Sequence, residues 1–207
     1  MADRSIPLVQ LSKFVDGNDE DRNAFVKELG KAFHEIGFVG VVDHGIPKIL
    51  IDSFYASAKE FFALPVEIKR KYEVPGLAGQ RGYTSFGKEH AKQSQVADLK
   101  EFFQIGQEVN DGDSIKSEYP DNVYVTEVDR FTRLGRELYQ EFEKAGAHLL
   151  RAIAIYLDLG EDYFDEKIHN GNSILRAIHY PPITQEPESA IRAEQHEDIN
   201  LITLLVG

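Results

Sequence analysis

Ala193-Glu194-Gln195-His196-Glu197-Asp198-Ile199-Asn200-Leu201-Ile202-Thr203-Leu204-Leu205 is the stretch on which the reading of the fold turns. From Leu201 to Val206 the run is apolar apart from Thr203, which predicts a core strand over roughly 198–206. His196 and Asp198 stand two apart. In a strand such residues project to one face, so an imidazole nitrogen and a carboxylate oxygen can meet at one point. That is two-thirds of the two-histidine, one-carboxylate set that holds iron(II) and leaves open positions for small ligands. A His-x-Asp pair is short enough to arise by chance in a chain with 7 histidines. On spacing alone the pair reads more readily as a polar surface loop, so the rest of the chain has to decide.

Working back from the pair, a polar link over 184–194 follows Pro181-Pro182. Before it, 173–180 reads as a strand with Ile174, Arg176, Ile178 and Tyr180 on one face. The longest helix carries the stripe Phe131, Leu134, Leu138, Phe142, Ala145, Leu149 and Ile153 and stops before Gly160; a short helix over 161–169 follows. Leu99 to Ile105 reads as a strand. Residues 74–95 and 111–122 read as loops, the first rich in glycine, and long loops of this kind often carry function. At the N-terminal end, 6–11 reads as a strand, 21–36 as an amphipathic helix stopped by Gly37, and 38–42 as a buried strand. Pro47 and Pro65 open two further helices.

The composition fits one folded chain: 207 residues, 42% hydrophobic, 28% charged and 11% aromatic. A net charge of −12 argues against nucleic acid and anionic membrane surfaces as partners. The absence of cysteine excludes disulfides and zinc–thiolate sites and fits a reducing compartment. Nothing resembles a signal peptide or a membrane span, so the expected location is cytoplasmic.

Several segments, in order, resemble one family. The 193–205 stretch resembles the metal-binding strand of the isopenicillin N synthase-like and 2-oxoglutarate- and iron(II)-dependent dioxygenases. Ile6-Pro7-Leu8-Val9-Gln10-Leu11-Ser12 is similar to the family's opening strand, and 37–46 to its Gly-Phe-Phe…Asn-His-Gly-Ile segment. Phe61-Phe62-Ala63-Leu64-Pro65-Val66-Glu67-Ile68-Lys69, Arg81-Gly82-Tyr83, Asp98-Leu99-Lys100-Glu101 and 175–182 match further segments. The resemblance covers essentially the whole chain.

It implies an α+β fold: an α-rich N-terminal region (1–120), a long helix packing on a barrel (121–170), and the first part of a double-stranded β-helix, or jelly roll, holding iron and 2-oxoglutarate (171–207). It implies iron(II) bound by His196 and Asp198, and 2-oxoglutarate and dioxygen as co-substrates in oxidising a small organic molecule. Tyr180 is expected near the co-substrate, and Arg81, Tyr83 and Arg176 near the substrate. His44 is expected to be a turn or packing residue. The family's second iron-binding histidine and its co-substrate arginine would lie beyond Gly207. The 207-residue chain is therefore expected to stop inside the barrel domain and to be inactive alone. Two alternatives stay open: an isopenicillin N synthase-type oxidase using no 2-oxoglutarate, and a non-catalytic binding protein on the same fold.

Overall fold

The computed structural model describes residues 5–88, 98–183, 198 and 200–206. The chain divides into two compact units, one made of 1–48 and 140–171 and the other of 49–139 and 172–207.

In the first unit, β1 (Leu8–Gln10) pairs in parallel with β2 (Gly40–Val42), Val9 opposite Val41. Parallel strands need a crossover, and helix α2 (Asp19–Glu35) supplies it. The Asn18 side chain accepts hydrogen bonds from the Glu20 and Asp21 amides at 2.9 and 3.0 Å. Asp19, Glu20 and Asp21 then place negative charge where the helix dipole favours it. Phe25, Val26, Leu29 and Ala32 are buried along one side. The expected first strand is cut short, because Leu11 already begins helix α1 (Leu11–Val15). Leu11 and Phe14 are both buried, a spacing of three that a helix satisfies and a strand does not.

Gly30 is a packing glycine. A Cβ built there would lie 2.1 Å from the ring of Tyr156, in the last turn of helix α5 (Asp129–Tyr156). Gly30→Ala is expected to destabilise the protein by about 1–3 kcal/mol, despite the better helix propensity of alanine. A lowered midpoint in urea denaturation would show it, and an unchanged or raised midpoint would contradict it.

In the second unit, helix α3 (Lys48–Phe62) is followed by α4 (Val66–Lys69) and a 3-10 turn at Arg70–Tyr72. The antiparallel sheet β3-β4-β5 consists of Gly82–Thr84, Glu101–Gly106 and Ile174–His179. One face of it meets an aromatic core. The Phe61 ring stacks on Phe131 at 5.0 Å and meets Phe103 edge-on at 5.2 Å, and Phe54 stacks on Phe131 at 5.5 Å. Gly135 lets α5 approach the sheet, since a Cβ there would lie 2.3 Å from Cδ1 of Ile105.

Two expectations fail here. Strand β3 lies inside the stretch read as an unbroken loop, and 198–206 contains no strand among its described residues. Both turn on pairing. Thr84 and its neighbours are extended because β4 pairs with them, Tyr83 opposite Phe103. Leu201 to Val206 form no ladder with any described strand, and their apolar character does not make a strand without one. The expected short helix at 161–169 is confined to α6 (Asp165–Ile168). No helix among the described residues is long and apolar enough to cross a membrane.

Candidate functional site

The sheet sorts the expected site residues by face. Paired residues share a face, and the register sets Glu101 opposite His179, Phe102 opposite Ile178 and Gln104 opposite Arg176. Tyr83, Glu101, Phe103 and His179 therefore lie on the aromatic-core face. Thr84, Phe102, Gln104, Arg176 and Ile178 lie on the other. Continuing the alternation, Tyr180 extends the Arg176 row. The Arg176 guanidinium sits 4.4 Å from the centre of the Phe102 ring, and both Arg176 and Tyr180 are exposed. The structure thus brings Arg176 and Tyr180 to one face and turns Tyr83 away from them.

Tyr83 belongs to a buried network centred on Glu101. Lys69 Nζ donates to Oε1 and Oε2 of Glu101 at 3.0 and 2.7 Å and to the Phe62 carbonyl at 3.0 Å. The Tyr83 hydroxyl donates to Oε2, and Nδ1 of His179 lies 2.8 Å from Oε1. The His179 ring also stacks on Phe62 at 5.1 Å. Burial works to raise the pKa of the Glu101 carboxyl, but the hydrogen bonds from Lys69, Tyr83 and His179 outweigh it and hold the group below its ordinary range. Burial and the adjacent carboxylate push the Tyr83 phenol above its ordinary value. The sequence alone places Glu101, Lys69 and His179 only inside matched segments. A signal for the network exists: a glutamate opening the apolar run Phe102-Phe103 needs a buried cation, and Lys69 closes the motif beginning at Phe61.

Arg81 is fully buried. Nη1 donates to the Gln80 carbonyl at 2.8 Å, while Nε and Nη2 have no hydrogen-bond partner among the described residues. The guanidinium fills the place of the missing Gly106 side chain; a Cβ there would lie 1.9 Å from Cζ. The backbone of Gly106 is held by Asn122, which accepts from its amide at 2.8 Å and donates to its carbonyl at 2.9 Å. Burial lowers the pKa of Arg81, and Tyr139 and Tyr119 work against that shift.

Of the two expected iron ligands, His196 lies outside the described residues. Asp198 is exposed, and its Oδ2 accepts a hydrogen bond from Thr203 Oγ1 at 2.5 Å. Asn200 Nδ2 donates to Thr203 Oγ1 at 2.7 Å and to the Ile202 carbonyl at 2.9 Å. A carboxylate steadied by a hydroxyl donor at the edge of the protein fits a metal ligand, since such ligands are commonly oriented by a hydrogen bond from behind. Among the described residues no three histidine, aspartate or glutamate side chains come together as a complete metal site. His44 accepts from the Ile46 amide at 3.1 Å through Nδ1, a turn-closing role as expected.

The architecture is mixed α and β, and Asp198, the candidate carboxylate ligand, follows the sheet strand β5 in the chain. Residues 6–127 match the family described as non-haem dioxygenase in morphine synthesis N-terminal. The chain belongs to that family, the 2-oxoglutarate- and iron(II)-dependent dioxygenases. It is 33% identical to a proline hydroxylase of Petromyces alliaceus over 89% of this chain and 58% of that protein. It is 29% identical to a 2-oxoglutarate-dependent dioxygenase of Aspergillus rugulosus over 98% of this chain and 64% of that one. A 2OG-Fe(II) oxygenase family protein from Caulobacter crescentus superposes with a TM-score of 0.77 at 38% identity, covering 88% of this chain and 58% of that one. A full-length Neurospora crassa protein in complex with alpha-KG gives a TM-score of 0.69 at 26% identity, over 85% of this chain and 51% of that one. The chain thus spans 58–64% of the length of the two curated relatives.

Proposed function

We propose that the whole protein is an iron(II)- and 2-oxoglutarate-dependent oxygenase that oxidises a small organic substrate with dioxygen, in the cytoplasm. The observation that carries the reading is the family match together with Asp198, a carboxylate held by Thr203 and two residues from His196. The relatives named for 2-oxoglutarate favour this reading over an oxidase that uses none and over a non-catalytic binding module.

His196 and Asp198 would hold the iron, and residues 171–207 would open the jelly roll that carries it, after the N-terminal region (1–120) and the long-helix region (121–170). Bound iron supplies the activation of dioxygen for the oxidation. The chain's own share is positional. Thr203 fixes the Asp198 carboxylate, so that less ordering is left to the moment of binding. Tyr180 presents a hydroxyl on the Arg176 face, suited to a carboxylate oxygen of 2-oxoglutarate. Arg176, with its guanidinium on the Phe102 ring, is suited to an acidic or strongly polar substrate group. Tyr83 acts from behind the sheet: through Glu101 it ties β3 to β4, and His179 adds β5, the strand that carries Arg176.

The test is iron(II) titration of the full-length protein and iron-dependent release of carbon dioxide from 2-oxoglutarate. Stoichiometric iron binding and decarboxylation are the expected result, and the absence of both would remove the proposal. Thr203→Val is expected to weaken iron(II) binding by about 10- to 100-fold with little change in stability. Unchanged iron affinity would show that Thr203 does not support the ligand.

A further inference from the structure

Among the described residues, five buried side-chain nitrogen and oxygen atoms lack hydrogen-bond partners: Nε and Nη2 of Arg81, Oγ1 of Thr84, Oε1 of Gln104 and Nε of Arg136. All but the last gather at one part of the β3-β4-β5 sheet. Gln104 and Gly106 follow Phe102 in a single row of β4, spaced about 7 Å apart along the strand, and the Arg81 guanidinium occupies the Gly106 position. Thr84 lies opposite Phe102 and Arg176 opposite Gln104. Buried polar groups are nearly always satisfied, and those that are not call for an explanation such as an absent ligand.

The chemistry of the open atoms is specific. Nε–H and Nη2–H form one edge of the guanidinium, the parallel fork that matches both oxygens of a carboxylate. No ion pair with Arg81 occurs among the described residues. The carboxamide oxygen of Gln104 can only accept, so its partner must donate. We infer that the Nε/Nη2 edge of Arg81 and the Gln104 carboxamide together recognise the substrate, and that the substrate is a small carboxylic acid carrying an N–H donor: an amino acid or N-acyl amino acid. This rests on the oxygenase reading and names the substrate class for it. The segment before β3 is the natural entry. It forms no helix or strand and runs through positive φ at Gly76, Ala78 and Gly79.

The test follows the Arg81 Nε–Hε and Gln104 side-chain amide signals of the metal-free, nitrogen-15-labelled protein by NMR. Four probes are added: N-acetylglycine, butanoate, N-ethylacetamide and 2-oxoglutarate. N-Acetylglycine is expected to shift both signals saturably. Butanoate is expected to shift Arg81 alone and to bind at least about tenfold more weakly, and N-ethylacetamide to shift neither. Gln104→Met should erase the preference for N-acetylglycine over butanoate. It should also raise Tm by about 2–4 °C, because a buried acceptor without a partner is removed. Three results would overturn the inference: an Arg81 signal unmoved by every probe, 2-oxoglutarate as the tightest ligand, or a lowered Tm in Gln104→Met, which would make Gln104 a structural residue. The readout needs no iron, so failure of the oxygenase reading and failure of this one are separately visible.

Discussion

Glu101→Ala is expected to cost about 3–5 kcal/mol of stability, which in a chain of this size lowers Tm by about 6–20 °C. The cost comes less from lost attraction than from what remains. The Lys69 ammonium would be left without its counter-ion in a site where its side chain is 8% exposed, with only the Phe62 carbonyl left as a partner among the groups bonded to its Nζ. Tyr83 would lose its acceptor in the same step. Pairing the change with Lys69→Met should recover much of the loss, because an apolar pair leaves no stranded charge. If Glu101→Ala and the double variant unfold at the same denaturant midpoint, the loss is not that of a stranded charge.

The same network sets a pH profile with two edges. The Glu101 carboxyl titrates lower in the folded protein than its ordinary value of 4.5. The unfolded chain therefore binds the proton first, and this contribution is complete above 4.5 and fades as the pH falls below it. The Tyr83 phenol is shifted upward from its ordinary value of 10.0. Its contribution is complete below that pH and declines as the pH rises through the folded value. Stability measured by urea denaturation across pH should fall at both ends. In Tyr83→Phe the decline above pH 10 should shrink while an acid-side fall remains; an alkaline limb unchanged by that substitution would count against this role for Tyr83.

What could be read from the chain in advance followed from periodicity and punctuation. Helix α2, with Phe25, Val26 and Leu29 buried and Gly37 at its end, declares itself locally. So do α5 and the two-residue alternation of Arg176 and Ile178 in β5. Strand β3 did not, because it has three residues and takes its form from β4. The candidate site divides in the same way. The His-x-Asp pair and the Arg176–Tyr180 row were visible as local spacing. The Glu101 network joins residues 32 and 78 positions apart, and no local pattern shows which glutamate meets which lysine. The unsatisfied atoms of Arg81 and Gln104 were further out of reach. A missing partner is a property of packing, and sequence displays only the groups that are present.

Asp198→Ala in the full-length protein is expected to reduce iron(II) affinity by more than about 100-fold, beyond the effect of losing an outer hydrogen bond, and to abolish 2-oxoglutarate consumption. Removing the carboxylate takes away an anionic ligand and leaves Thr203 Oγ1 without the acceptor at 2.5 Å that it now has. Because Asp198 is exposed, the fold should bear the change, with urea midpoints within about 0.5 kcal/mol of the parent. Asp165→Ala supplies the contrast. It breaks the ion pair with Arg151, where Nη2 lies 2.6 Å from Oδ2, in the unit that does not contain Asp198, and it should leave iron affinity unchanged. Calorimetric titration with iron(II) under anaerobic conditions separates the two. Retention of tight iron binding by Asp198→Ala would remove Asp198 from the ligand set, and the metal-site part of the proposal would fall with it.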